Sequence, residues 1–152
     1  MPVDSSLRPA APADAPAIAA LSGTLGYPAA TDEVARRLER ILARSDHVVL
    51  VCADDDRVLG WVHAAELDVL EYGTRCDILG LVVDSSCRRG GVGRRLVGAA
   101  EEWARARGLE QMAVRSNVAR SESHPFYERL GYVRAKTQHA YRKRLADSPA
   151  PG

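Results

Sequence analysis

One segment, residues 84–94, constrains the fold of this chain more than any other. It is rich in glycine and arginine, and it connects an apolar run at residues 78–83 to a helical pattern that ends near residue 107. The apolar run is typical of a strand buried on both faces, and Gly80 within it indicates a bulge. A buried strand that leads through a glycine-rich loop into a helix restricts the chain to folds that combine both elements.

Strand and helix patterns alternate along the chain. Periodicity and capping residues predict four helices, at about residues 14–21, 31–42, 92–107 and 123–130. Composition and turn residues predict strands at residues 6–10, 47–53, 58–67, 75–83, 111–116, 132–134 and 140–145. The sequence therefore predicts an α/β (α+β) fold, with one domain over residues 1–145 and a flexible tail over residues 146–152.

Composition argues against several classes of partner. The 152 residues carry 21 Lys and Arg against 20 Asp and Glu, for a net charge of +1. No broad basic surface thus favours nucleic acid or an anionic membrane. The longest apolar run, residues 48–53, is far shorter than the about 20 residues of a membrane-spanning helix, and we expect a cytoplasmic protein. Scattered cysteines and histidines without ligand spacing predict neither a disulfide framework nor a metal site.

The segment at residues 84–94 has the features of a phosphate-binding loop. Backbone N–H groups at a helix N-terminus attract anions, and glycines allow close approach. The side chains of Arg88, Arg89 and Arg94 add positive charge. The two common nucleotide motifs fail, because a Walker loop needs Gly-Lys-Ser/Thr and a dinucleotide fingerprint needs glycine where Leu96 stands. The alternative is a plain glycine-rich connection with solvated arginines.

Two motifs resemble those of one known family. The pattern Arg88-x-x-Gly91-x-Gly93 resembles the Arg/Gln-x-x-Gly-x-Gly/Ala signature of the GNAT superfamily of acetyl-CoA-dependent N-acetyltransferases. Residues 124–132, His-Pro-Phe-Tyr-Glu-Arg-Leu-Gly-Tyr, resemble the family's later Phe-Tyr-x-x-x-Gly-Phe/Tyr motif. The resemblance implies a mixed, mostly antiparallel sheet of six to seven strands, splayed at a central bulge and flanked by about four helices. It also implies acetyl-CoA as cosubstrate and no metal.

The resemblance further implies which residues bind coenzyme A. The pyrophosphate would be bound by the loop residues Arg88, Arg89, Gly90, Gly91, Val92, Gly93 and Arg94. The pantetheine arm would pair with the backbone of Leu81, Val82 and Val83. Asn117 would contact the same arm, Arg120 would lie toward the adenine or the 3′-phosphate, and Tyr127 would lie beside the sulfur.

Three residues are implied in catalysis. The N–H near Leu81 would donate to the thioester carbonyl, whose oxygen gains negative charge as the amine attacks. Tyr127 would protonate the leaving thiolate; its alternative role is to anchor a short helix. Asp77 would accept the proton of the amine, directly or through water, and its alternative role is an ion-paired carboxylate with Arg75 as partner.

The predicted function is transfer of an acetyl group from acetyl-CoA to a primary amine of a small molecule, by direct attack in a ternary complex. Two alternatives stay open: an acetyltransferase of protein lysines or N-termini, and a non-catalytic acyl-CoA-binding module. Tyr127 weighs against the binding module, which needs no acid at the sulfur. No nucleic-acid or membrane partner is expected, and the resemblance makes a homodimer a further expectation.

Overall fold

The computed structural model describes residues 5–23, 29–55, 57–87, 90–115 and 123–146. The chain divides into two compact units, residues 1–115 and 116–152. The described part of the first unit holds a sheet with three helices, and that of the second holds one helix. Across the described ranges, no helix is long and apolar enough to cross a membrane.

A sheet of five strands forms the first unit, in the order β1-β2-β3-β4-β5. The strands are β1 (Ser6–Pro9), β2 (His47–Ala53), β3 (Val58–Val69), β4 (Gly73–Val83) and β5 (Met112–Val114). The first four run antiparallel to their neighbours, whereas β5 runs parallel to β4. A parallel pair needs a crossover connection, and helix α3 (Val92–Ala106) supplies it.

Helices cover both faces of this sheet. The other two helices of the unit are α1 (Ala15–Gly23) and α2 (Thr31–Leu42). They pack against Val49 of β2 and against Trp61 of β3. On the other face, Leu96 of α3 lies over Gly60. Gly60 and Trp61 face opposite ways because successive residues of a strand alternate between its two sides.

A buried ion pair joins β1 to the start of α1. The carboxylate of Asp14 accepts hydrogen bonds from Arg8 Nη1 at 2.8 Å, from Arg8 Nη2 at 2.9 Å and from the Ala11 N–H at 2.7 Å. The Arg8 guanidinium is the main reason that the pKa of Asp14 lies below its usual value. The sequence predicts that Asp14 caps the helix, and α1 begins at Ala15, directly after a 3₁₀ turn over Pro12–Asp14. The bond back to Ala11 closes that turn.

The described part of the second unit contains the short helix α4 (Ser123–Arg129). The carbonyl of Tyr127 accepts hydrogen bonds from the N–H groups of Leu130 and Tyr132, both at 3.0 Å. Gly131 has a φ of 93°, the left-handed conformation in which helices commonly end. The helix therefore ends where the sequence predicts that it does.

The predicted fold class is confirmed, but the predicted strand count is too high. Five strands are present in the described residues, not six to seven, and the strands predicted at residues 132–134 and 140–145 do not form. The apolar side chains of this stretch remain in solvent: Val133, Tyr141 and Leu145 are each about nine-tenths exposed. Alternating apolar residues form stable strands when one face is buried, and these side chains are not buried.

Candidate active site

The register of β3 against β4 breaks at one residue. His63 pairs with Gly80 and Ala64 pairs with Ile78, so Leu79 has no partner on β3. Leu79 is also 49% exposed, although it lies in the middle of the sheet. This extra residue is the central bulge that the sequence predicts, and it lies next to the glycine rather than on it.

The glycine beside the bulge has a packing role. A Cβ atom built on Gly80 would lie 2.8 Å from Cζ3 of Trp61, so the indole ring fills the space that a side chain would need. The Trp61 Nε1 donor is buried, and among the described residues it has no hydrogen-bond partner. Gly80, the residue next to the bulge, therefore lies under the indole ring of Trp61, on the face of the sheet that α1 and α2 cover.

The bulge changes the direction in which the N–H groups of β4 point. Before it, the N–H of Cys76 donates to the carbonyl of Gln111, on the side of β5. After it, the N–H of Asp84 donates to the carbonyl of Leu59, on the side of β3. Because N–H groups alternate between the two sides of a strand, the N–H of Leu81 points away from β3.

The edge of β4 beyond the bulge is open within the first unit. Pairing with β5 runs from Cys76 to Ile78 and ends where the bulge begins, while β4 continues to Val83. In the described part of the chain, no strand pairs with this edge after Ile78. An open edge that presents N–H groups, including that of Leu81, can bind an extended chain that carries amides.

Asp84 fixes the turn that follows β4. Its Oδ1 atom accepts hydrogen bonds from the hydroxyl of Ser86 at 2.6 Å and from the N–H of Ser86 at 2.9 Å. The hydroxyl bond is the main reason that the pKa of Asp84 is lowered. From the turn between β2 and β3, Nη2 of Arg57 donates to Ser86 Oγ at 3.0 Å and contacts Cys87 Sγ at 3.6 Å. The short 3₁₀ turn over Ser85–Cys87 is thus held from both sides.

Helix α3 begins without a side-chain cap. Its N-cap residue, Gly91, has a φ of 80° and makes no side-chain bond. A Cβ atom built on Gly91 would meet nothing within 4 Å, so the space beside the first turn is open. The first bond runs from the N–H of Arg95 to the carbonyl of Gly91. The N–H groups of Val92, Gly93 and Arg94 therefore have no partner within the helix.

The two arginines in the first turn of α3 have different surroundings. Arg94 is exposed, as a residue that binds a mobile anion must be. Arg95 donates to Ser5 Oγ at 2.6 Å and to the Ser5 carbonyl at 3.0 Å. The Arg95 side chain is thus occupied in joining the helix to the residue before β1.

Asp77 lies buried beside Arg75 on β4. Its Oδ1 accepts a hydrogen bond from Arg75 Nε at 2.7 Å, and its Oδ2 accepts one from Nη2 at 3.4 Å. This contact is the main reason that the pKa of Arg75 is raised. The guanidinium also lies 3.9 Å from the centre of the Tyr72 ring. The structure thus contains the ion pair that the sequence offers as the alternative role of Asp77, and the role of proton acceptor stays a prediction.

Tyr127 lies in the second unit, where its ring is part of an aromatic group. The ring is half-buried, and it meets Phe126 edge-on at 5.0 Å and Tyr132 edge-on at 5.8 Å between ring centres. These contacts fix the orientation of the phenol on α4. Its predicted role as an acid stays a prediction.

The remaining predicted cofactor residues divide into two groups. Val82 is buried, Val83 and Gly91 are half-buried, and Gly90 is exposed in the turn before α3. The predicted residues Arg88, Arg89, Asn117 and Arg120 lie outside the described residues.

Comparison with known proteins identifies the family. The model of the acetyltransferase (GNAT) family matches residues 16–132, which is most of the chain. The chain belongs to the GNAT acetyltransferase family. Acetyltransferases of this family use acetyl-CoA. The match includes both the bulged strand and the helix that begins at Gly91.

Relatives of this GNAT chain include named aminoglycoside acetyltransferases. An aminoglycoside N(6′)-acetyltransferase type 1 of Klebsiella aerogenes is 34% identical over 119 residues, 74% of this chain and 76% of the relative. Among solved structures, the aminoglycoside antibiotic 6′-N-acetyltransferase AAC(6′)-IG of Acinetobacter haemolyticus has a TM-score of 0.80 at 19% identity and covers 93% of this chain and 99% of its own. AAC(6′)-Iy in complex with the bisubstrate analogue CoA-S-monomethyl-acetylneamine has a TM-score of 0.82 at 21% identity, with coverages of 93% and 99%. Likeness at these identities shows the fold.

The described residues of the GNAT chain fit coenzyme A in two places. The uncapped N–H groups at the start of α3 suit a pyrophosphate, because they are donors at the positive end of a helix. The open edge of β4 suits the amides of a pantetheine arm. At the first of these places, a Cβ atom on Gly91 would meet none of the described residues within 4 Å.

Sequence reasoning missed a histidine pair on the face of the sheet that carries Trp61. His47 Nδ1 and His63 Nε2 are 2.9 Å apart, and the rings stack with centres 5.1 Å apart. The pKa of His63 is lowered from 6.5 to about 4, mainly by burial and to a smaller extent by the nearby His47. The two residues are far apart in sequence, and the pairing of β2 with β3 makes them diagonal neighbours. The sequence predicts that the two strands form a hairpin. The histidine pair follows from that hairpin once it is known which residue of β2 lies opposite which residue of β3.

Proposed function

We propose that this acetyltransferase moves an acetyl group from acetyl-CoA to a primary amine of a small molecule, by direct attack in a ternary complex. The observation that carries the proposal is the bulge at Leu79. It turns the Leu81 N–H toward the edge of β4 from which β5 has separated. A backbone donor at an open edge is suited to a thioester carbonyl that enters along the strand.

The Leu81 N–H is the proposed stabiliser of the transition state. As the amine nitrogen bonds to the carbonyl carbon, the carbonyl oxygen becomes negatively charged, and a fixed donor binds that oxygen more strongly than the neutral carbonyl. The rigid pairing of β3 with β4 holds this N–H in place. The C–S bond then breaks, and the sulfur leaves as a thiolate that Tyr127 protonates.

The N–H groups at the start of α3 are proposed to hold the pyrophosphate, with Arg94 as an additional charge. Arg88 and Arg89 belong to the same proposal on the motif alone, as do Asn117 for the pantetheine arm and Arg120 for the adenine end. Asp77 is the acceptor of the amine proton that the sequence predicts, and it would have to act while its carboxylate is bonded to Arg75. Acetyl-CoA supplies the activated acyl group, so the chain itself forms no covalent intermediate.

A small-molecule acceptor is favoured over a protein by the relatives. The relative described above at 34% identity is an aminoglycoside N(6′)-acetyltransferase, whose substrate by name is a small amine. The acidic side chains Glu66, Asp68 and Glu71 lie along the end of β3 and the turn after it, where they would attract a cationic amine.

The test of the function is release of free CoA thiol from acetyl-CoA in the presence of amines. The panel comprises polyamines, aminoglycosides, amino acids and lysine peptides. We expect release that depends on a small amine. Release with lysine peptides alone would make the chain a protein acetyltransferase, and binding of acetyl-CoA without release with any amine would make it a binding module.

The proposed pyrophosphate site at the start of α3, the cradle, has its own test, in which the two glycines that flank α3 are compared. Gly91 and Gly108 flank the same helix with φ values of 80° and 79°, and a Cβ atom at either would meet nothing within 4 Å. Valine therefore introduces similar backbone strain at both, about 1–2 kcal/mol. We expect Gly91→Val to weaken coenzyme A binding at least about 10-fold by calorimetry, since each factor of 10 needs only about 1.4 kcal/mol of lost contact. Gly108→Val is the control, and equal affinities in the two variants would remove the cradle from this helix end.

A further inference from the structure

The histidine pair is a chain of titratable groups that leads from the bulge to solvent. His63 lies directly opposite Gly80 across the β3–β4 ladder, two rows from the one that contains Asp77. Its Nε2 contacts His47 Nδ1 at 2.9 Å, and His47 Nε2 lies 4.0 Å from Asp46 Oδ1. The side chain of Asp46 is 37% exposed. His63 and His47 are therefore within hydrogen-bond distance of each other, whereas the step from His47 to Asp46 is longer than a hydrogen bond and needs a bridging water.

The inner end of the histidine pair is the Nδ1 atom of His63. The hydrogen bond that the structure gives to the His63 ring is the one at Nε2, and no other described residue bonds to it. Asp77 is different, because both of its oxygens accept hydrogen bonds from Arg75. Among the described residues, His63 thus has a ring nitrogen that is not committed to an ion pair.

The groups around His63 keep its ring neutral. From β2 it faces His47, with Asp46 beyond, and Asp46 is itself paired with Arg44 at 3.0 Å. On β4, the charged groups on the same face as His63 are those of the Asp77–Arg75 pair. Helix α1 carries no titratable side chain, and α2 carries the exposed ion pairs Arg36–Asp32 and Arg37–Glu33. Burial dominates in this setting, so the pKa of His63 falls to about 4.

A neutral imidazole can take up a proton on one nitrogen and release one from the other. An amine acceptor arrives as an ammonium ion and must lose one proton before its nitrogen can attack. We propose that His63 takes up this proton at Nδ1, that the proton on its Nε2 passes to His47 Nδ1, and that the proton on His47 Nε2 passes to Asp46 or to water. One proton enters this series of groups at His63 and one leaves it beyond His47, so no other reactant is needed.

The proposal rests on the proposed function and adds His63 as a further catalytic residue, with His47 as a residue that acts through it. A proton relay and a purely structural role for His63 predict different effects of pH on the activity of a His63 variant. The amine needs a proton acceptor while it is an ammonium ion, and it needs none near pH 10, about the ordinary pKa of an alkylammonium group. A variant without the relay therefore recovers its activity in alkali.

The test uses His63→Gln in the full chain, with neamine, spermidine and lysine as acceptors. The amide nitrogen of glutamine can replace Nε2 toward His47, but it cannot carry the proton. We expect kcat near neutral pH to fall about 10²-fold, the usual contribution of one general base, and the deficit to shrink steadily as the pH is raised. His47→Asn should show a deficit with the same pH dependence. The control His139→Gln, an exposed histidine of the second unit, should match the wild type.

A deficit that is equal at all pH values, or a variant as active as the wild type, would overturn the relay while leaving the proposed function intact. Absence of thiol release by the wild type with every acceptor would instead remove the proposed function. The relay is still tested in that case by an NMR titration of the imidazole rings. Titration curves of the His63 ring that are the same in the wild type and in His47→Asn would overturn it, because the two rings would then not be coupled through their contact.

Discussion

Asp14 shows how one carboxylate couples the fold to pH. It is 6% exposed, and the hydrogen bonds that it accepts come from a charged donor and a backbone donor in the first fourteen residues. Because Arg8 stabilises its ionised form, the pKa of Asp14 is lower in the folded chain than in the unfolded one. Its contribution to stability is therefore complete above the ordinary value of 3.8 and is lost as the pH falls through the lowered value.

We expect Asp14→Asn to lower the free energy of unfolding near neutral pH by about 1–3 kcal/mol, since the change removes a charge from hydrogen bonds to Arg8 and Ala11. Urea unfolding at several pH values measures it. The difference between variant and wild type should narrow in acid below about pH 4, where the wild-type carboxylate also becomes neutral. Asp32→Asn is the matched control, because the Asp32 side chain is 75% exposed in its ion pair and should change stability by less than about 0.5 kcal/mol. A difference that persists in strong acid would show that packing rather than charge is responsible.

Tyr127→Phe tests the proposed acid. The ring contacts with Phe126 and Tyr132 do not need the hydroxyl, so the helix should keep its packing. If the hydroxyl protonates the thiolate, kcat should fall by about 10²-fold while the dissociation constant of acetyl-CoA changes little. Steady-state kinetics and calorimetry measure the two quantities. Tyr141→Phe, at a residue that is 91% exposed, is the control. Unchanged turnover in Tyr127→Phe would leave the residue as a helix anchor.

At the scale of residues, the sequence predicts contacts between near neighbours better than contacts across strands. Arg75 and Asp77 are two positions apart on one strand, so they face the same side, and their pairing follows from the alternation alone. The approach of His47 to His63 requires the register of two strands. The turn between those strands contains three consecutive aspartates and offers no unique two-residue hairpin signal, so the register could not be derived.

At the scale of elements, β3 approaches both β4 and α3 closely at Gly60. A Cβ atom on Gly60 would lie 2.8 Å from the carbonyl oxygen of Val82 and 3.0 Å from Leu96 Cδ1. The carbonyl belongs to the β4 backbone and cannot move without disturbing the ladder. Glycine at this position therefore sets how closely the helix that begins at Gly91 approaches the bulged strand.

We expect Gly60→Ala to destabilise the fold by about 1–3 kcal/mol through overpacking. Gly98→Ala, on α3 itself, is the matched change: a Cβ there meets nothing within 4 Å, and it should stabilise the helix by about 0.5–1 kcal/mol. Denaturant unfolding of both variants measures the effects. Equal effects of the same sign would mean that the close approach at Gly60 is not a constraint.

The bulge and the last strands show what the sequence of an element reveals about its structure. Gly80 predicts the bulge because glycine weakens a buried strand and is found there mostly at bulges and close contacts. The unpaired residue is Leu79, and nothing in its side chain marks it; the Trp61 ring fills the space above the neighbouring glycine. The strands predicted at residues 132–145 had the correct alternation, but alternation cannot show whether a buried surface exists for it to face.

At the scale of the whole molecule, the alternation of strands and helices was sufficient for the fold class, and the two motifs were sufficient for the family. The strand order was not derivable from local patterns, because β5 pairs with β4 only through a crossover of an entire helix. The homodimer and the boundary at residue 145 stay predictions. The first unit also has a contact between residues far apart in sequence. Arg95, in the helix of the proposed cradle, donates a hydrogen bond to Ser5, near the beginning of the unit's sequence.

The extra residue in β4 makes the chemistry depend on a count. Any substitution of Leu79 changes one side chain, and the strand beyond it keeps its orientation. Deletion of Leu79 would join Ile78 to Gly80 in a regular ladder, because Ala64 already pairs with Ile78 and His63 with Gly80. The residues beyond would keep their partners and faces, and the N–H of Leu81 would still point away from β3, but the bend that a bulge adds to its strand would be lost. A genetic change of three nucleotides would thus remove the bend beside the open edge of β4 without changing the identity of any proposed site residue. Libraries that vary only residue identity cannot detect this dependence, whereas libraries of single-codon deletions can.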